Sequence, residues 1–308
     1  MTVYYNALGP ILKKKFGCKV YKICIDAGFT CPNRNGEKGY GGCIFCDTFG
    51  SSSLTNPEKT SLKQQILNNI IVRKSRYKAK KFIVYLQSYS NTYAPLDRLK
   101  HIYDEALSAH QDIVGISIAT RSDCLDEEKI ALIASYKKKV PYVNIELGMQ
   151  SANDTTLKFI NRCETHADFV KTLSIIKSYE LDHCAHVILG LPNETKDDEL
   201  FTADTLAKLQ VNGVKIHLLV IVPNTPMEDL YRKGLYHPLS FEEYVSKCCD
   251  FLERLHPSCI IHRLSTSGPL MHLIAPLWMR TTKETVVNAV LTEFIQRKTH
   301  QGIFYRCF

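Results

Sequence analysis

Short apolar runs rich in β-branched residues alternate along this chain with longer amphipathic stretches, and this alternation constrains the fold more than any other feature. Strands that alternate with helices form βαβ units, so the pattern predicts a mostly parallel sheet. The predicted strands are Val20–Asp26, Phe82–Leu86, Ile113–Ala119, Tyr142–Leu147, Cys184–Leu189 and Val214–Val222. The predicted helices between them are Ser61–Arg76, Leu96–Ala109, Asp126–Lys138, Asp168–Tyr179 and Asp197–Leu209.

Six such units are too few for a closed eight-stranded barrel. They fit an α/β fold of the partial (β/α)6 TIM-type barrel, which we assign to residues 1–222 together with a short N-terminal lead-in. Beyond Val222 the pattern changes to a loop-rich connection. We interpret residues 223–308 as a C-terminal α/β extension packed on the core, with a helix, a short strand and a final helix predicted at Phe241–Leu255, Ile260–Leu264 and Lys283–Lys298.

Polar segments follow the first five predicted strands, each at its carboxyl end. A cysteine-containing loop follows the first strand, and QSYSN, TRSD, GMQS and GLPNET follow the next four. In parallel α/β folds the carboxyl ends of the strands lie on one face, where ligands bind. The sequence therefore predicts a single site built from five loops.

The loop after the first strand reads CPNRNGEKGYGGCIFC and holds Cys31, Cys43 and Cys46. Structural zinc takes four protein ligands, whereas catalytic zinc takes three and keeps one position open. A 4Fe–4S cluster is normally held by four thiolates, so three would leave one iron open to a small molecule. Both interpretations are compatible with the spacing. In the second, Phe45 would form an apolar wall beside the open iron.

The bulk composition bears on compartment and partner. The chain has 308 residues, twelve cysteines and a net charge of +8. It contains no apolar run of about 18 residues, and its N-terminal charges stand in the wrong order for a secretory signal, so we predict a cytoplasmic protein without a membrane partner. Basic residues cluster at 13–15, 73–81 and 137–139. Each cluster alone fits a solvated helix end, but together they favour a polyanionic partner.

A three-cysteine motif that ends in Cys-x-aromatic-Cys, after the first strand of a partial barrel, resembles the radical S-adenosylmethionine (radical SAM) superfamily. Eleven residues separate the first two cysteines, a wide gap of the kind found in the radical SAM domain of the Elongator catalytic subunit. The segments VYKICIDAGFTCPNR, GGCIFC, QSYSNTYAPL, IATRSDCL, ELGMQS, INRCETH and HVILGLPNET together resemble the YtqA/YhcC-type group, over nearly the whole chain.

The resemblance implies two cofactors, a 4Fe–4S cluster on Cys31, Cys43 and Cys46 and S-adenosyl-L-methionine (SAM) on the open iron. It further implies that a reductant protein such as flavodoxin or ferredoxin supplies an electron, which cleaves SAM to a 5′-deoxyadenosyl radical. Positions matched to SAM contacts in the family are Gln87, Ser88, Thr120, Arg121, Gln150 and Arg162.

Two further positions depart from the pattern of related barrels. Ala119 stands where Elongator-type relatives often have an acid, so Glu146 at the end of the fourth strand becomes the candidate acceptor for the SAM ribose. His186 stands where relatives often have an aspartate, and we assign it to the same cofactor site. Candidates for substrate contact in the C-terminal extension are His262, Arg263, Trp278 and Lys283.

The resemblance also implies a substrate. YtqA-type members are expected to act on the wobble uridine of tRNA, in the step that turns a carboxymethylaminomethyl group into an aminomethyl group. Two alternatives stay open from the sequence. One is a radical SAM enzyme that acts on a small molecule or a peptide, and the other is a zinc-dependent RNA-binding module without catalysis.

Overall fold

Seven parallel strands form one sheet in which each strand pairs with its neighbours in the chain. The computed structural model describes residues 3–48, 50, 60–266, 273–280 and 283–306. The strands are β1 (Val20–Ile25), β2 (Lys81–Leu86), β3 (Ile113–Thr120), β4 (Tyr142–Gln150), β5 (Asp182–Leu189), β6 (Gly213–Leu218) and β7 (Ile260–Arg263). The sheet curls into a half-barrel, so the predicted partial TIM-type barrel is confirmed.

Helices connect the successive strands and flank the sheet at both ends of the chain. Ten are described: α1 (Leu8–Phe16), α2 (Leu62–Tyr77), α3 (Leu96–Ser108), α4 (Glu127–Ser135), α5 (Asp154–Phe159), α6 (His166–Ser178), α7 (Lys196–Lys208), α8 (Pro226–Arg232), α9 (Phe241–Arg254) and α10 (Lys283–Arg297). Three of them begin with a capping box, at Thr165, Thr195 and Ser240. Each such cap satisfies backbone N–H groups that the first helical turn would otherwise leave unpaired.

The predicted elements match the observed ones, with differences near the C-terminal side. The last core strand is shorter than predicted, because the chain leaves the sheet after Leu218 and Ile221 bridges to Ala275 instead. The short strand predicted in the extension is β7, and it pairs in parallel with β6. Residues after 222 therefore contribute a seventh strand to the same sheet. The short helices α1, α5 and α8 were not predicted.

Side chains alternate along the strands between an apolar layer and a polar barrel interior. In β6, Val214 and Ile216 are buried in the large apolar core, whereas Lys215 and His217 face the cavity inside the barrel. This follows from the two-residue period of a strand. The interior is consequently charged, unlike the branched apolar filling of an ordinary barrel.

Glu146 of β4 lies at the centre of this interior, and its side chain is fully buried. Its Oε1 is 2.6 Å from Lys22 Nζ of β1 and accepts a hydrogen bond of 2.7 Å from Ser117 of β3. Its Oε2 is 2.7 Å from His186 Nε2 of β5 and 2.8 Å from Lys215 Nζ of β6. One carboxylate thus connects five of the seven strands.

Charges determine the protonation states in this network. Burial alone would raise the pKa of Glu146, but Lys215 and Lys22 outweigh it and hold that pKa well below its usual range. Burial lowers the pKa of His186 to about 4, with Lys215 acting in the same direction. Glu146 is therefore ionised near neutral pH, and His186 is neutral and donates from Nε2.

Lys22 also shows how far the sheet curls. Its ammonium lies 3.4 Å from His262 Nδ1. Lys22 belongs to β1 and His262 to β7, the two edge strands of the sheet. A single side chain therefore bridges the open seam of the half-barrel. In the part of the chain that the structure describes, no helix is long and apolar enough to cross a membrane.

Replacing Gly115 by alanine should destabilise the protein, because a Cβ there would lie 2.2 Å from the backbone oxygen of Tyr142 on the neighbouring strand. The strands would have to separate, and overpacking of this kind costs about 1–3 kcal/mol. Gly9→Ala is the matched control, since a Cβ at Gly9 meets no atom within 4 Å and helix propensity favours alanine. Urea unfolding measures both; equal free energies of unfolding for the two variants would contradict the strand contact.

Glu146→Gln should cost about 3–5 kcal/mol of unfolding free energy, because Lys22 and Lys215 would keep their buried charges without a counterion. The control is Glu228→Gln, whose carboxylate pairs with the exposed Arg232 on α8 and should change stability little. The pKa of Glu146 is lower in the folded state than in the unfolded state. Its carboxylate therefore adds its full contribution to the unfolding free energy above the unfolded-state pKa, and that contribution is lost as pH falls toward the folded-state pKa. Urea unfolding at neutral and acidic pH should show that the difference in unfolding free energy between wild type and Glu146→Gln becomes smaller in acid.

Candidate active site

A cavity of about 220 Å³ lies at the carboxyl ends of the strands. Four of the five predicted polar loops contribute residues to its lining, namely the cysteine loop, QSYSN, TRSD and GMQS. The fifth, GLPNET, does not, and β5 contributes His186 and Ile188 instead. Eleven of the twelve predicted site residues line the cavity, namely Cys31, Cys43, Phe45, Cys46, Gln87, Thr120, Arg121, Glu146, Gln150, Arg162 and His186. Ser88 is buried next to Gln87, and its carbonyl accepts a hydrogen bond from the Asn91 side chain.

The cysteine loop is held in place by the segment between α5 and α6. Asn33 donates from its side chain to the Asn161 carbonyl at 2.6 Å, and Asn161 donates back to the Gly42 carbonyl at 2.8 Å. The backbone N–H of Ile44 donates to the Ile160 carbonyl at 3.1 Å. These bonds fix the loop at both ends of its glycine-rich section, so Cys31 and Cys43 are held against one wall of the cavity.

Two arginines accompany the cysteines. Arg34 donates to the Cys46 carbonyl at 2.8 Å, and Arg162 Nη1 lies 3.9 Å from Cys43 Sγ. Burial raises the pKa of Cys46 to about 11, with the Cys43 thiol acting in the same direction and Arg34 against it.

The donor set of the wall fits a thiolate-bound cluster, with three cysteines and adjacent cationic donors. Within the described ranges, no group of three or more His, Cys, Asp or Glu side chains has the spacing to hold one metal ion. Zinc is the alternative that the positions of the cysteines in the sequence leave open, and metal analysis decides between the two.

A buried ion cluster supports the predicted Arg121 and Arg162. Arg121 pairs with Asp123 at 2.8 Å, and Glu164 lies 2.6 Å from Arg162 and 3.4 Å from Arg121. Arg162 does pair with its neighbour Glu164, yet it is buried and faces the cavity rather than solvent. Glu164 and Asp123 were not predicted as site residues; the segments INRCETH and TRSD that contain them were the available signal.

Gly148 makes room for two of the predicted side chains. A Cβ at Gly148 would lie 2.7 Å from Gln150 Nε2 and 2.9 Å from Arg162 Nη2. Gln150 itself has a left-handed backbone, with φ of 68°. Such backbone is unfavourable for a side chain other than glycine and collects at functional sites. The strand end is thus shaped to point an amide and a guanidinium into the same space.

Glu146 and His186 lie deeper in the cavity than the other predicted residues. Each Glu146 oxygen already has two donors, which is the full capacity of a carboxylate. A ribose hydroxyl would have to displace one of them. The ribose contact of Glu146 stays a prediction, and the structure adds that this side chain organises the barrel floor.

The candidates from the C-terminal extension occupy different places. Arg263 lines the cavity, and His262 lies beside Lys22. Trp278 packs against Phe241 and Tyr244 and donates to the Leu239 carbonyl, which is a structural position. The side chain of Lys283 lies outside the described residues.

The cavity residues that sequence reasoning missed include Arg34, Tyr85, Lys215 and His217. The signal for the last two is the alternation in VKIHL of β6, where polar residues occupy every second position. In a parallel strand buried on both faces, such polar positions indicate a polar barrel interior.

Comparison with known proteins identifies the family. The radical SAM superfamily profile matches residues 31–206, and the profile of the radical SAM C-terminal domain matches residues 211–294. The YtqA protein of Bacillus subtilis is 36% identical over 302 residues, which cover 98% of this chain and 93% of that protein. The similarity to the YtqA/YhcC-type group is therefore confirmed.

Two further similarities extend this result. The tRNA uridine(34) acetyltransferase of Dehalococcoides mccartyi is 22% identical over 173 residues, which cover 55% of this chain and 37% of that protein. The structure of Elp3 from Methanocaldococcus infernus superposes with a TM-score of 0.69 at 14% identity, covering 92% of this chain and 64% of that one. The latter is a likeness of fold.

The profile match spans more than half of the chain and includes all three cysteines of the cavity wall. Family membership brings the 4Fe–4S cluster and SAM as cofactors, together with the need for a reductant. This chain belongs to the radical SAM superfamily and is a radical SAM enzyme.

Proposed function

We propose that this radical SAM enzyme modifies the wobble uridine of tRNA, in the step that converts a carboxymethylaminomethyl group into an aminomethyl group. The observation that carries the proposal is that one cavity has two distinct parts. Cys31, Cys43 and Cys46 form its wall, and Lys215 and Arg263 lie on its cationic floor. The wall suits the cluster and SAM, and the floor suits a substrate group that is negatively charged.

Cys31, Cys43 and Cys46 would hold the cluster, and Phe45 would shield it from water on one side. When bound, the cluster and SAM supply the electron transfer and the 5′-deoxyadenosyl group that takes hydrogen from a substrate C–H. The protein's contribution is to bind, orient and exclude water. Flavodoxin or ferredoxin is our proposal for the reductant.

The residues around the wall have distinct proposed tasks toward SAM. Arg162 and Gln150 project past Gly148, where a guanidinium can pair with a carboxylate. Arg121 is held by Asp123 and Glu164, so its direction is fixed before any ligand arrives. Thr120 lies on the same side, and its hydroxyl is 2.6 Å from that of Thr92. Gln87 and Ser88 would approach SAM from the end of β2.

A polyanionic substrate is supported by the overall charge and by a relative. The net charge is +8, and a protein of related sequence is named for an activity on tRNA uridine 34. Long-range attraction between a basic protein and a nucleic acid raises the rate of encounter. The substrate's phosphates supply the charge for that attraction.

The three basic clusters do not lie at the mouth of the cavity. Lys15 reaches the ring of Tyr142, the first residue of β4, and Lys74 pairs with Asp112, just before β3. Lys137, Lys138 and Lys139 also precede β4. All these residues lie at the amino ends of the strands, opposite the cysteine loop. They therefore support electrostatic attraction and not direct contact with the wobble base.

Cys43→Ala should abolish cluster assembly and 5′-deoxyadenosine formation, because only two thiolates would remain on the wall. Cys18→Ala is the matched control, since Cys18 lies before β1 at the opposite end of the barrel. The measurement is iron, sulfide and zinc content after anaerobic reconstitution, followed by chromatography of the products of SAM. Undiminished 5′-deoxyadenosine from Cys43→Ala would refute the assignment, and stoichiometric zinc without iron would favour the binding module.

A strain that lacks this protein should accumulate carboxymethylaminomethyl uridine in its tRNA, because the step that converts it into aminomethyl uridine would be missing. Nucleosides from digested bulk tRNA are separated and identified by mass spectrometry. A plasmid copy of the wild-type chain should restore the normal profile, and Cys43→Ala should not. An unchanged set of wobble uridines in the deletion strain would rule out the tRNA substrate and favour a small molecule or a peptide.

A further inference from the structure

The floor of the cavity carries more positive than negative charge. Of the described residues that line the cavity, five are basic and one, Glu146, is acidic. Near the wall, Arg121 and Arg162 are balanced by Asp123 and Glu164. On the floor, Glu146 pairs with Lys22 and Lys215, and Arg263 adds a third cation whose charge acts on Lys215.

Histidines do not change this balance, because the three that surround Glu146 are neutral. Burial lowers the pKa of His186 to about 4 and holds the pKa values of His217 and His262 well below their usual range. The floor therefore has two positive charges in excess when Lys215 is protonated. Lys215 is buried, and Lys22 and Arg263 are partly buried, so an excess of positive charge here is costly unless an opposite charge binds.

Two of the floor cations have donors to spare. Lys22 has three partners, whereas Lys215 contacts only Tyr85 Oη and Glu146 Oε2, each at 2.8 Å. Arg263 donates no side-chain hydrogen bond and forms no ion pair within the described ranges. Lys215 and Arg263 are paired positions on the neighbouring strands β6 and β7. Both side chains line the cavity, and the charge of Arg263 acts on Lys215, so their free donors face the same part of the floor.

A buried nitrogen next to these cations also lacks a partner. His217 Nε2 is shielded from solvent, and no described group is hydrogen-bonded to it. The His217 ring packs 5.2 Å from that of His186, and both residues line the cavity. Buried polar atoms are nearly always hydrogen-bonded, so an orphaned one that faces a cavity indicates a missing ligand group or water.

We propose that Lys215 and Arg263 bind a carboxylate of the substrate, with His217 completing the contact. The inference rests on the proposed function, which supplies a carboxymethylamino group on the modified uridine. A guanidinium beside an ammonium is a typical arrangement for a carboxylate, since the planar fork donates two parallel hydrogen bonds.

The proposed carboxylate site on the floor lies deeper in the barrel than the cysteine loop, which would hold the cofactors. Lys215 lies three residues before the end of β6 at Leu218, which corresponds to roughly 10 Å at the rise of a parallel strand. The cysteines lie in the loop that follows β1 at the rim. A carboxylate bound to the floor therefore belongs to a second molecule, and its neighbouring CH₂ group points up toward the rim.

This arrangement accounts for discrimination between substrate and product. The aminomethyl product has lost the carboxylate and is left with an amine, which two cations repel. Lys215 and Arg263 would therefore favour binding of the substrate and release of the product. They are binding residues in this proposal, and the hydrogen to be removed belongs to the CH₂ group between the amine and the carboxylate. With water, this two-carbon unit would leave as glyoxylate, a two-electron oxidation that balances the two-electron cleavage of SAM to methionine and 5′-deoxyadenosine.

The test measures binding by the unreduced holoenzyme, in which no turnover occurs. The probes are synthetic anticodon stem-loops that carry a carboxymethylaminomethyl uridine, its methyl ester or an aminomethyl uridine. We expect wild type to bind the carboxylate probe about tenfold or more tightly than the other two, since a charged hydrogen-bonded pair is lost with each. The methyl ester removes the charge without any change in the protein, so this comparison does not depend on a variant folding.

The protein-side variants are Arg263→Gln and Arg263→Lys, with Arg232→Gln as a charge-matched control on the exposed face of α8. Arg263→Gln should remove most of the preference for the carboxylate probe. In a separate assay of the reduced enzyme, it should raise KM more than it lowers kcat. Arg263→Lys should retain part of the preference, and Arg232→Gln should retain all of it.

The outcomes separate this inference from the proposed function. If wild type converts the carboxylate substrate but binds all three probes equally, the carboxylate site is refuted and the function stands. The same holds if Arg263→Gln folds and keeps the full preference. If wild type neither converts nor prefers the carboxylate probe, both fail together, and if it prefers that probe without conversion, only the proposed reaction fails.

Discussion

The Glu146 carboxylate is the interaction on which the rest of the barrel depends. Side chains from β1, β3, β5 and β6 converge on it, and all four bonds are between 2.6 and 2.8 Å long. In a low-dielectric interior such an ion network is stable only when every partner is present, because an isolated buried charge costs several kcal/mol. The network therefore fixes the relative positions of the strands whose carboxyl ends carry the site.

The charged interior has a chemical consequence as well as a structural one. Ordinary barrels are filled by branched apolar side chains, which leave no room for a ligand below the rim. Here Lys215, His186 and His217 take the place of apolar side chains. They form the floor of the cavity, and the open space lies above them. The thiols at the rim and the cations below them define two levels, one suited to a metal cluster with SAM and one suited to an anionic substrate group.

Much of the site could be predicted because βαβ topology leaves few choices. Once the runs around Val84, Ile116 and Ile145 are identified as parallel strands, the loops after them must share one face. The cysteines, Arg121 and Gln150 lie in loops that this rule places on one face, whereas Arg162 was assigned through the family resemblance. The prediction was weaker for residues inside strands. Glu146 was placed at the cofactor, although its oxygens are occupied by partners from elements up to 124 residues distant in the chain, which no local pattern reveals.

The sequence by itself determined the strand and helix order, the parallel sheet, the common position of the polar loops and the three cysteines. These features depend on local periodicity and on the short, right-handed connections between strands. The tertiary structure alone decided that β7 joins the same sheet, that the basic clusters lie opposite the mouth, and that Lys215 and Arg263 are paired positions that both line the cavity. Those facts depend on how far the sheet curls. Curvature results from packing and from the central ion network together, and neither is written in any single segment of the chain.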